Sequence, residues 1–229
     1  MMKNNKSNLF TLDNFIEDSL YNKKHGYYMK KNPFGESGDF ITAPNISILF
    51  SEMIAIWVIS FWEKLNCPKQ FNLIELGAGN GEMMRVLVST FNKFPKFKKS
   101  CKINILERSE LLRRIQKTNI KSTKIKWLNN LNELNNFPCI FIANEFFDAL
   151  PIKQFLKKEK KWYERCVKFI NAKKLEYLDV PFDMKKFEKK ISFKISYNQK
   201  FIEYSPMATK FLKTIIKKIK LNNGGILII

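Results

Sequence analysis

The chain has few of the residues that build metal sites or disulfide frameworks. Its 229 residues include one histidine, His25, and four cysteines, at positions 67, 101, 139 and 166, that form no CxxC pair. Neither a zinc site nor a cysteine framework is therefore indicated, and reduced thiols in a cytosol-like compartment are expected. His25 is interpreted as a packed loop residue rather than as a base.

Long apolar segments are also missing. No apolar run reaches the roughly 18 residues that indicate a membrane helix. The longest candidate, at 46–65, is interrupted by polar side chains such as Ser51 and Glu52, and its apolar spacing predicts a core helix. Residues 1–8 are polar, without the apolar segment of a secretory signal, and are too short and arginine-poor for a transit peptide. A cytoplasmic protein without a transmembrane segment is the resulting prediction.

Acidic residues are scarce relative to basic ones. The chain has 41 Lys and Arg against 21 Asp and Glu, a formal charge of +20, which invites a nucleic-acid reading. The lysines are scattered, however, and no basic stripe interleaved with aromatics lies beside the glycine segment described next. Lys, Asn, Ile and Phe are all abundant, as AT-rich coding produces. We therefore expect a solvated lysine-rich surface without a clear nucleic-acid site, and loose attraction to acidic partners or anionic lipid stays open.

Glycine is scarce too, at 8 residues, yet three of them fall at Gly77, Gly79 and Gly81. They follow an apolar run at 73–76, and helical spacing begins after them at Met83. Strand, glycine turn and helix hold nucleotide-like ligands in α/β proteins, because glycine permits close approach and the helix start offers free N–H groups. An ordinary tight connection is the alternative at this point.

Glu107 ends a second strand-like run at 103–106. In dinucleotide-type sites an acidic residue roughly 20 residues after the glycine loop accepts hydrogen bonds from ribose hydroxyls. Glu107 could be only a solvated strand end, but together with the glycine loop it predicts a ribose contact. The loop reads Gly-x-Gly-x-Gly after Glu75, not the Gly-x-Gly-x-x-Gly of pyrophosphate binders, which favours S-adenosylmethionine as the ligand.

A third strand, buried and parallel, is predicted at 139–143, followed by Asn144, Glu145 and Asp148. Ligands of open α/β sheets lie beyond the carboxyl ends of strands, so these residues, the glycine loop and Glu107 should share one edge. The aromatic segment at 25–44 is expected to pack over that site. Partial alternation at 152–180 predicts an inserted hairpin, and a helix opening at Ser205-Pro206 precedes a final strand at 225–229.

These segments resemble the class I S-adenosylmethionine-dependent methyltransferases that include the mitochondrial complex I assembly factor, a protein arginine methyltransferase, and its bacterial relatives. The matching segments, in the family's order, are His25-Gly26-Tyr27-Tyr28, Gly38-Asp39-Phe40-Ile41-Thr42-Ala43-Pro44, Glu75-Leu76-Gly77-Ala78-Gly79-Asn80-Gly81, Glu107-Arg108-Ser109 with Leu112, Arg113 and Gln116, Ala143-Asn144-Glu145-Phe146-Phe147-Asp148-Ala149-Leu150-Pro151, Glu203, Ser205-Pro206 and Gly224-Gly225. Two departures stand out. Asn45 replaces a glutamate that is usual in the family, and family chains continue past the strand at 225–229.

The resemblance implies an α/β fold, a Rossmann-like class I methyltransferase sheet with helices on both faces, here missing its C-terminal strands and carrying a small inserted hairpin. One methyltransferase domain over 1–229 is expected. Its parts are a helical and loop cap at 1–66, the cofactor-binding half of the core at 67–150, the inserted hairpin region at 151–200, and the last helix and strand of a truncated core at 201–229.

The predicted site has two groups of residues and no metal ligand. Cofactor contacts are expected at Gly38, Thr42, Glu75, Gly77, Ala78, Gly79, Gly81, Glu107 and Asn144. Glu145 and Asp148 are expected to act on the acceptor, since residues spaced by three can face one side and carboxylates can hold a planar guanidinium. A capping or surface role for Asp148 and a purely structural role for Glu145 are the alternatives.

Three functions remain open from the sequence. The first is an S-adenosylmethionine-dependent protein arginine methyltransferase that acts on a respiratory complex I subunit, with the mitochondrial matrix as the alternative compartment, or on a bacterial counterpart. The second is a non-catalytic assembly or binding factor with this fold, or a truncated inactive fragment. The third is a methyltransferase for RNA or a small molecule, favoured only by the positive charge.

Overall fold

The computed structural model describes residues 8–35, 38–122, 124–171 and 174–229. The prediction that the chain has no leader was based on residues 1–8. Of these, only Asn8 is among the described residues. The elements in chain order are β1 (Leu9–Thr11), α1 (Leu12–Tyr21), α2 (Tyr27–Lys30), α3 (Ala43–Ile46), α4 (Ile48–Lys64), β2 (Phe71–Leu76), α5 (Glu82–Phe91), α6 (Pro95–Ser100), β3 (Cys101–Leu106), α7 (Glu110–Ile120), β4 (Lys126–Leu128), β5 (Cys139–Ala143), β6 (Lys153–Lys158), β7 (Lys161–Asn171), β8 (Lys174–Pro181), α8 (Met184–Ile191), β9 (Phe201–Tyr204), α9 (Pro206–Asn222) and β10 (Gly224–Ile228).

A parallel sheet forms the centre of the fold. Its strand order is β10-β5-β2-β3-β4, and every neighbouring pair runs parallel. Every residue of β2 and β5 is buried, which explains why both strands are nearly continuous apolar runs. The predicted strands at 71–76, 103–106 and 139–143 are confirmed.

Helices cover both faces of this sheet, as predicted. On one face, Ile54 and Val58 of α4 and Leu87 of α5 pack in one cluster with Leu73 and Ile140 of the strands. On the other face, α9 supplies Ile215 to a cluster that includes Ile74 of β2. Because neighbouring residues of a strand point to opposite faces, one short strand serves both clusters.

The order of the strands determines where a ligand can bind. Sequence proceeds from β2 outward to β3 and β4, then returns to the other side of β2 with β5. The connections that leave β2 and β5 therefore diverge, and they open a crevice at the carboxyl ends of these two strands. Such reversals of strand order are where open α/β sheets bind ligands.

The expected small hairpin is part of a larger antiparallel sheet. Strands β6, β7 and β8 pair consecutively, β9 pairs with β6, and β1 pairs with the other part of β7. Helix α8, which was not predicted from the sequence, packs on this second sheet, with Phe187 against the fully buried Phe155. The predicted hairpin therefore accounts for only part of this sheet, because β1 and β9 join it from distant parts of the chain.

The predicted core helix at 46–65 appears as α4, with the short α3 before it. Thr11 occupies the N-cap position of α1, but its side chain makes no capping hydrogen bond. Ser205 does cap α9, because its hydroxyl accepts from the N–H of Ala208. Helix α4 packs on α5 in the parallel-sheet core, and β9 belongs to the second sheet.

Two absences hold for the residues described above. None of their helices is long and apolar enough to cross a membrane. Three or more histidine, cysteine or acidic side chains do not come together among them in a way that could hold a metal ion.

Candidate functional site

The first wall of the site is the glycine turn after β2. Gly77 and Gly79 have φ angles of 66° and 53°, which glycine adopts without the steric cost of a side chain. The Gly77 N–H donates to the Leu106 carbonyl at 2.9 Å and ties the turn to the end of β3. A β-carbon at Gly77 would lie 2.9 Å from the ring of Phe146, and one at Gly79 would lie 3.4 Å from that of Phe34. The backbone of the turn, which has no side chain at Gly77 or Gly79, therefore lies against the rings of Phe146 and Phe34 and lines the cavity.

Glu107 forms the next wall, directly after β3, and is buried. Its Oε1 accepts from the backbone N–H of Ser109 at 2.9 Å, and its Oε2 accepts from Nε2 of Gln116 at 3.1 Å. Burial raises the pKa of Glu107, while the hydrogen bonds from Ser109 and Gln116 act in the opposite direction. The carboxyl group is thus held in one orientation beside the glycine turn.

Glu75 lies in β2 behind the turn and is buried. It borders a small recess of about 50 Å³ together with Thr42, Ala78 and Asn144. Burial, reinforced by the neighbouring charge of Glu107, raises the pKa of Glu75 to about 8. Its Oε2 has no hydrogen-bond partner among the described residues. A neutral carboxyl with spare hydrogen-bonding capacity therefore faces the site at neutral pH.

Glu145 and Asp148 follow β5 on the opposite side of the crevice. Glu145 has a φ of 48°, a left-handed conformation that costs about 1–2 kcal/mol for a non-glycine residue. Its N–H donates to the Ile229 carbonyl at 3.0 Å, and the Ile229 N–H donates to the Ala143 carbonyl at 3.0 Å. The end of β10 thereby holds Glu145 in a strained conformation of the kind found at functional sites.

Aromatic rings from residues 21–40 form the cover of the site. The rings of Tyr21 and Tyr28 stack at 5.6 Å, and those of Tyr28 and Phe34 stack at 6.1 Å. The Tyr21 hydroxyl donates to the Ala149 carbonyl at 3.1 Å, and the Arg108 guanidinium lies 4.5 Å from the Tyr21 ring centre. The expectation that the segment at 25–44 packs over the site is confirmed for its described residues.

These walls enclose a cavity of about 300 Å³. Its lining is Tyr21, Tyr28, Phe34, Phe40, Thr42, Gly77, Gly79, Leu106, Glu107, Arg108, Ser109, Leu112, Glu145, Phe146, Asp148, Ala149, Leu150, Met207 and Phe211. A second cavity of about 550 Å³ shares Leu106, Arg108, Met207 and Phe211 with it, so the two adjoin. Together they provide the mostly apolar, partly polar space that small-molecule sites have.

Most of the predicted site residues come together here. The cavity of about 300 Å³ is lined by Thr42, Gly77, Gly79, Glu107, Glu145 and Asp148. The recess beside it is lined by Glu75, Ala78 and Asn144. Gly38 and Gly81 line neither. Gly38 closes a turn in which a β-carbon would lie 2.3 Å from the Pro33 carbonyl oxygen, and Gly81 caps α5 in a left-handed conformation.

Several lining residues were not predicted. Tyr21 lies on α1, and Met207 and Phe211 lie on α9. Their positions follow ordinary helical spacing, so no sequence pattern separates them from core residues. His25 lies outside the cavity, with Nε2 2.7 Å from the Asp18 carboxylate, as fits the expected packed loop residue.

The residues present fit a ligand with amino-acid, ribose and base parts. Gly77 and Gly79 line the cavity with backbone, Glu107 offers carboxylate oxygens, and Glu75 has a buried oxygen without a partner among the described residues. Among the described residues, Arg108 is the one cationic side chain that lines this cavity, and it is paired with Glu17 at 2.8 Å, so no cluster of phosphate-binding cations forms there. The geometry thus suits the phosphate-free S-adenosyl ligands better than a dinucleotide.

Comparison with solved structures supports the fold. A Burkholderia thailandensis protein described as a "COG1565 superfamily member and likely methyl transferase", bound to S-adenosyl-homocysteine, superposes with a TM-score of 0.74 at 23% identity over 90% of this chain and 55% of that chain. The native crystal structure of a protein of the same superfamily and organism superposes with a TM-score of 0.69. At this identity the likeness shows a shared class I fold.

Curated relatives come from animals. The chain is 32% identical over 172 residues to the Drosophila melanogaster protein arginine methyltransferase NDUFAF7 homolog, mitochondrial, covering 66% of this chain and 39% of the relative. It is 30% identical over 188 residues to the Homo sapiens protein arginine methyltransferase NDUFAF7, mitochondrial, covering 72% of this chain and 43% of the relative. The chain thus spans about two fifths of the length of these relatives.

A protein-family profile matches most of the chain. Residues 53–229 match the family described as "Putative S-adenosyl-L-methionine-dependent methyltransferase". The match contains β2 with its glycine turn, Glu107 and the segment after β5, although it begins after Thr42. The family's cofactor is the ligand that the cavity suits, and the chain belongs to this family of S-adenosyl-L-methionine-dependent methyltransferases.

Proposed function

We propose that this protein transfers a methyl group from S-adenosylmethionine to an arginine side chain of a protein. The observation that carries the proposal is the cavity between β2 and β5. One of its walls is a glycine turn beside a buried carboxyl group, and the opposite wall carries two further carboxyl groups, Glu145 and Asp148. This arrangement has a place for a cofactor and for a cationic acceptor, and the two meet at Glu145, which also lines the recess beside the glycine turn.

The cofactor side uses the residues that follow β2 and β3. Gly77 and Gly79 would accept the ligand against their backbone, and the oriented Glu107 carboxylate would accept hydrogen bonds from ribose hydroxyls. Glu75, Thr42 and Asn144 border the recess where a polar amino-acid end would find partners. The cofactor supplies a methyl group on a positively charged sulfur. The protein's share is to position this group and to exclude water.

The acceptor side uses Glu145 and Asp148. Carboxylates bind guanidinium groups through paired, charge-assisted hydrogen bonds, which fix the plane of the group and its attacking nitrogen. The strained backbone of Glu145 supports a positioning task, because such a conformation persists only where the surroundings enforce it.

The finer identity of the acceptor rests on the relatives. Those named above are protein arginine methyltransferases and mitochondrial, which supports a protein acceptor and favours the matrix over the cytoplasm as the compartment. A respiratory complex I subunit, or a bacterial counterpart, stays the predicted acceptor protein. The positive charge gives little support to an RNA acceptor, because among the described residues Lys210 is the one lysine that lines either of the two adjoining cavities.

The test separates binding from turnover. Calorimetry with S-adenosyl-homocysteine measures cofactor affinity, and transfer of labelled methyl groups to a cell lysate measures activity. We expect Glu145→Gln and Asp148→Asn to keep affinity within about threefold and to lower transfer about ten- to hundredfold, since each removes a charged hydrogen-bond acceptor. Glu110→Gln is the matched control, because Glu110 is exposed on α7 and lies outside both cavities.

Three other outcomes would each contradict a part of the proposal. Label that a protease leaves intact but a nuclease removes means an RNA acceptor. Binding by the folded chain without transfer to any acceptor means the non-catalytic alternative, a binding or assembly factor. A folded chain that does not bind S-adenosyl-homocysteine overturns the enzyme hypothesis as a whole.

A further inference from the structure

We propose that Gln116 is a positioning residue that sets the ribose-binding carboxylate Glu107 and the glycine turn relative to each other, and that Trp127 fixes the orientation of its amide. This rests on the proposed cofactor role of Glu107. Gln116 does not line either cavity, so it acts through its neighbours and not by touching the ligand.

The Gln116 side chain joins three separate elements. It is fully buried on α7. Its Nε2 donates to the Gly79 carbonyl at 2.9 Å and to Oε2 of Glu107 at 3.1 Å. Its Oε1 accepts from Nε1 of Trp127 at 2.9 Å. Both amide hydrogens and the amide oxygen are thus used, and each partner follows a different strand or lies in it.

The chemistry of the partners allows only one orientation of this amide. Gly79 O and the Glu107 carboxylate are acceptors, and the Trp127 ring N–H is only a donor. A reversed amide would place its oxygen against two acceptors and its NH₂ group against a donor. Burying such unmatched groups costs about 1–3 kcal/mol each, so the Trp127 N–H acts as the orientation lock.

The amide also determines what Glu107 can offer. The other carboxylate oxygen is held by the Ser109 N–H, so Gln116 supplies the side-chain hydrogen bond to an otherwise buried charge. Arg113 and the backbone N–H of Arg108 favour the ionised form of Glu107. Two further titratable groups, Glu75 and Tyr21, lie close enough to interact with its charge. Without the amide, a protonated Glu107 would turn one acceptor oxygen into a donor, and the turn would lose its tether at Gly79.

Gln116→Met and Gln116→Glu test this role by calorimetry with S-adenosyl-homocysteine between pH 6 and 8. Methionine keeps the volume but cannot donate a hydrogen bond to Gly79 or Glu107, and we expect about tenfold weaker binding at every pH. An ionised glutamate cannot donate to either acceptor, so Gln116→Glu should bind more weakly still at pH 8. It should regain affinity relative to Gln116→Met as protonation returns a donor at pH 6. A glutamate variant with wild-type affinity throughout overturns the proposal.

Asn119 provides the matched control on the same helix. Its Nδ2 donates to the Asn80 carbonyl at 2.9 Å, so it tethers the same turn and makes no hydrogen bond to Glu107. In double-mutant cycles with Glu107→Gln, we expect Asn119→Leu to be additive. Gln116→Met should be non-additive, because removing the carboxylate removes much of what the amide positions. An additive Gln116 cycle contradicts the positioning role.

Two further measurements distinguish a failure of the Gln116 inference from a failure of the proposed ribose role of Glu107. If Glu107→Gln alone leaves affinity unchanged, the proposed ribose role fails, and the inference fails with it. If the Gln116 variants do not fold, Trp127→Phe carries the test, since it removes the ring N–H and leaves the glutamine. It should weaken binding in a way coupled to Glu107, whereas unchanged affinity overturns the orientation lock.

Discussion

Gly77 and Gly79 face the cavity without a β-carbon, and the rings of Phe146 and Phe34 stand where those atoms would project. The positive φ of each residue adds a conformational reason to the steric one. Mutation can separate the two reasons, because Gly35 also has a positive φ, of 98°. A β-carbon there would make only an ordinary contact, 3.7 Å from Nδ2 of Asn80.

We expect Gly77→Ala to weaken binding of S-adenosyl-homocysteine at least about tenfold and to cost about 1–3 kcal/mol of stability, since strain and a contact with Phe146 add up. Gly35→Ala should cost about 1–2 kcal/mol through strain alone and leave affinity nearly unchanged. Calorimetry and chemical denaturation measure both. Equal loss of affinity in the two variants contradicts a steric role for the turn.

Folding changes the ionisation of Glu75 near neutral pH. Its pKa rises from 4.5 to about 8 because it is buried and lies near Glu107. Between these values the folded state retains a proton that the unfolded state releases, so the stability that this proton brings is complete below pH 4.5 and is lost as pH rises through about 8.

Glu75→Gln should therefore reduce the fall in Tm between pH 5 and pH 8, because glutamine keeps the shape of a neutral carboxyl and does not ionise. The gain over wild type should be larger at pH 8 than at pH 5, as scanning calorimetry measures. Glu110→Gln, at an exposed position, should follow the wild-type curve. A Glu75→Gln curve parallel to wild type contradicts burial as the cause.

At the scale of elements, Lys153 links β6 to α1 and β7. Its Nζ lies 3.0 Å from Oδ1 of Asp13 and 2.6 Å from Oε1 of Glu164. Desolvation lowers the pKa of Lys153, but the hydrogen bonds to both carboxylates outweigh it and the pKa is raised. The three side chains are mostly buried, so the triad holds α1, which carries Tyr21, against the second sheet.

Lys153→Met should destabilise the protein by about 2 kcal/mol at pH 7, because it leaves two carboxylates facing each other in a partly buried place. Lys168→Met, on the exposed side of β7, should change stability by less than about 0.5 kcal/mol. Urea denaturation compares them. If the two variants lose the same amount, the triad contributes nothing beyond a surface charge.

The elements differ in how far sequence could predict them. β2 and β5 are short apolar runs buried on both faces, so their pattern and the glycine turn identify them. α8 was missed because its buried face consists of only Met184 and Phe187 among lysines. β1 and β9 were missed because strands of three and four residues have too few positions to show alternation.

The same limit applies to the site. Glu107, Glu145 and Asp148 stand at strand ends, a place that sequence reasoning can find. Tyr21 and Phe211 reach the cavity from α1 and α9, and only the three-dimensional packing of those helices brings them there. The strained φ of Glu145 likewise depends on a hydrogen bond to residue 229, which no local pattern predicts.

At the scale of the whole molecule, the formal charge of +20 is spread over both sheets and their helices. Mutual repulsion of like charges opposes compact folding, and added salt screens it within a Debye length of about 10 Å at 0.1 M. Net charge therefore makes stability depend on ionic strength even where no ion pair is broken.

We expect Tm to rise by about 2–4 °C when sodium chloride increases from about 20 mM to about 200 mM, equivalent to about 1 kcal/mol for a domain of this size. Scanning calorimetry at fixed pH measures the shift. Replacing chloride by sulfate at equal ionic strength controls for exclusion effects. A Tm that falls with chloride shows that attractive ion pairs outweigh the repulsion.

The hydrogen bond from Glu145 to Ile229 has a practical consequence for experiments on this protein. A change in the backbone at residue 229 would shift the carbonyl that keeps Glu145 in its strained conformation at the wall of the cavity. Ile229→Pro would in addition remove the N–H that donates to the Ala143 carbonyl. Probes and attachment points chosen for measurements on this protein should therefore stay away from residue 229.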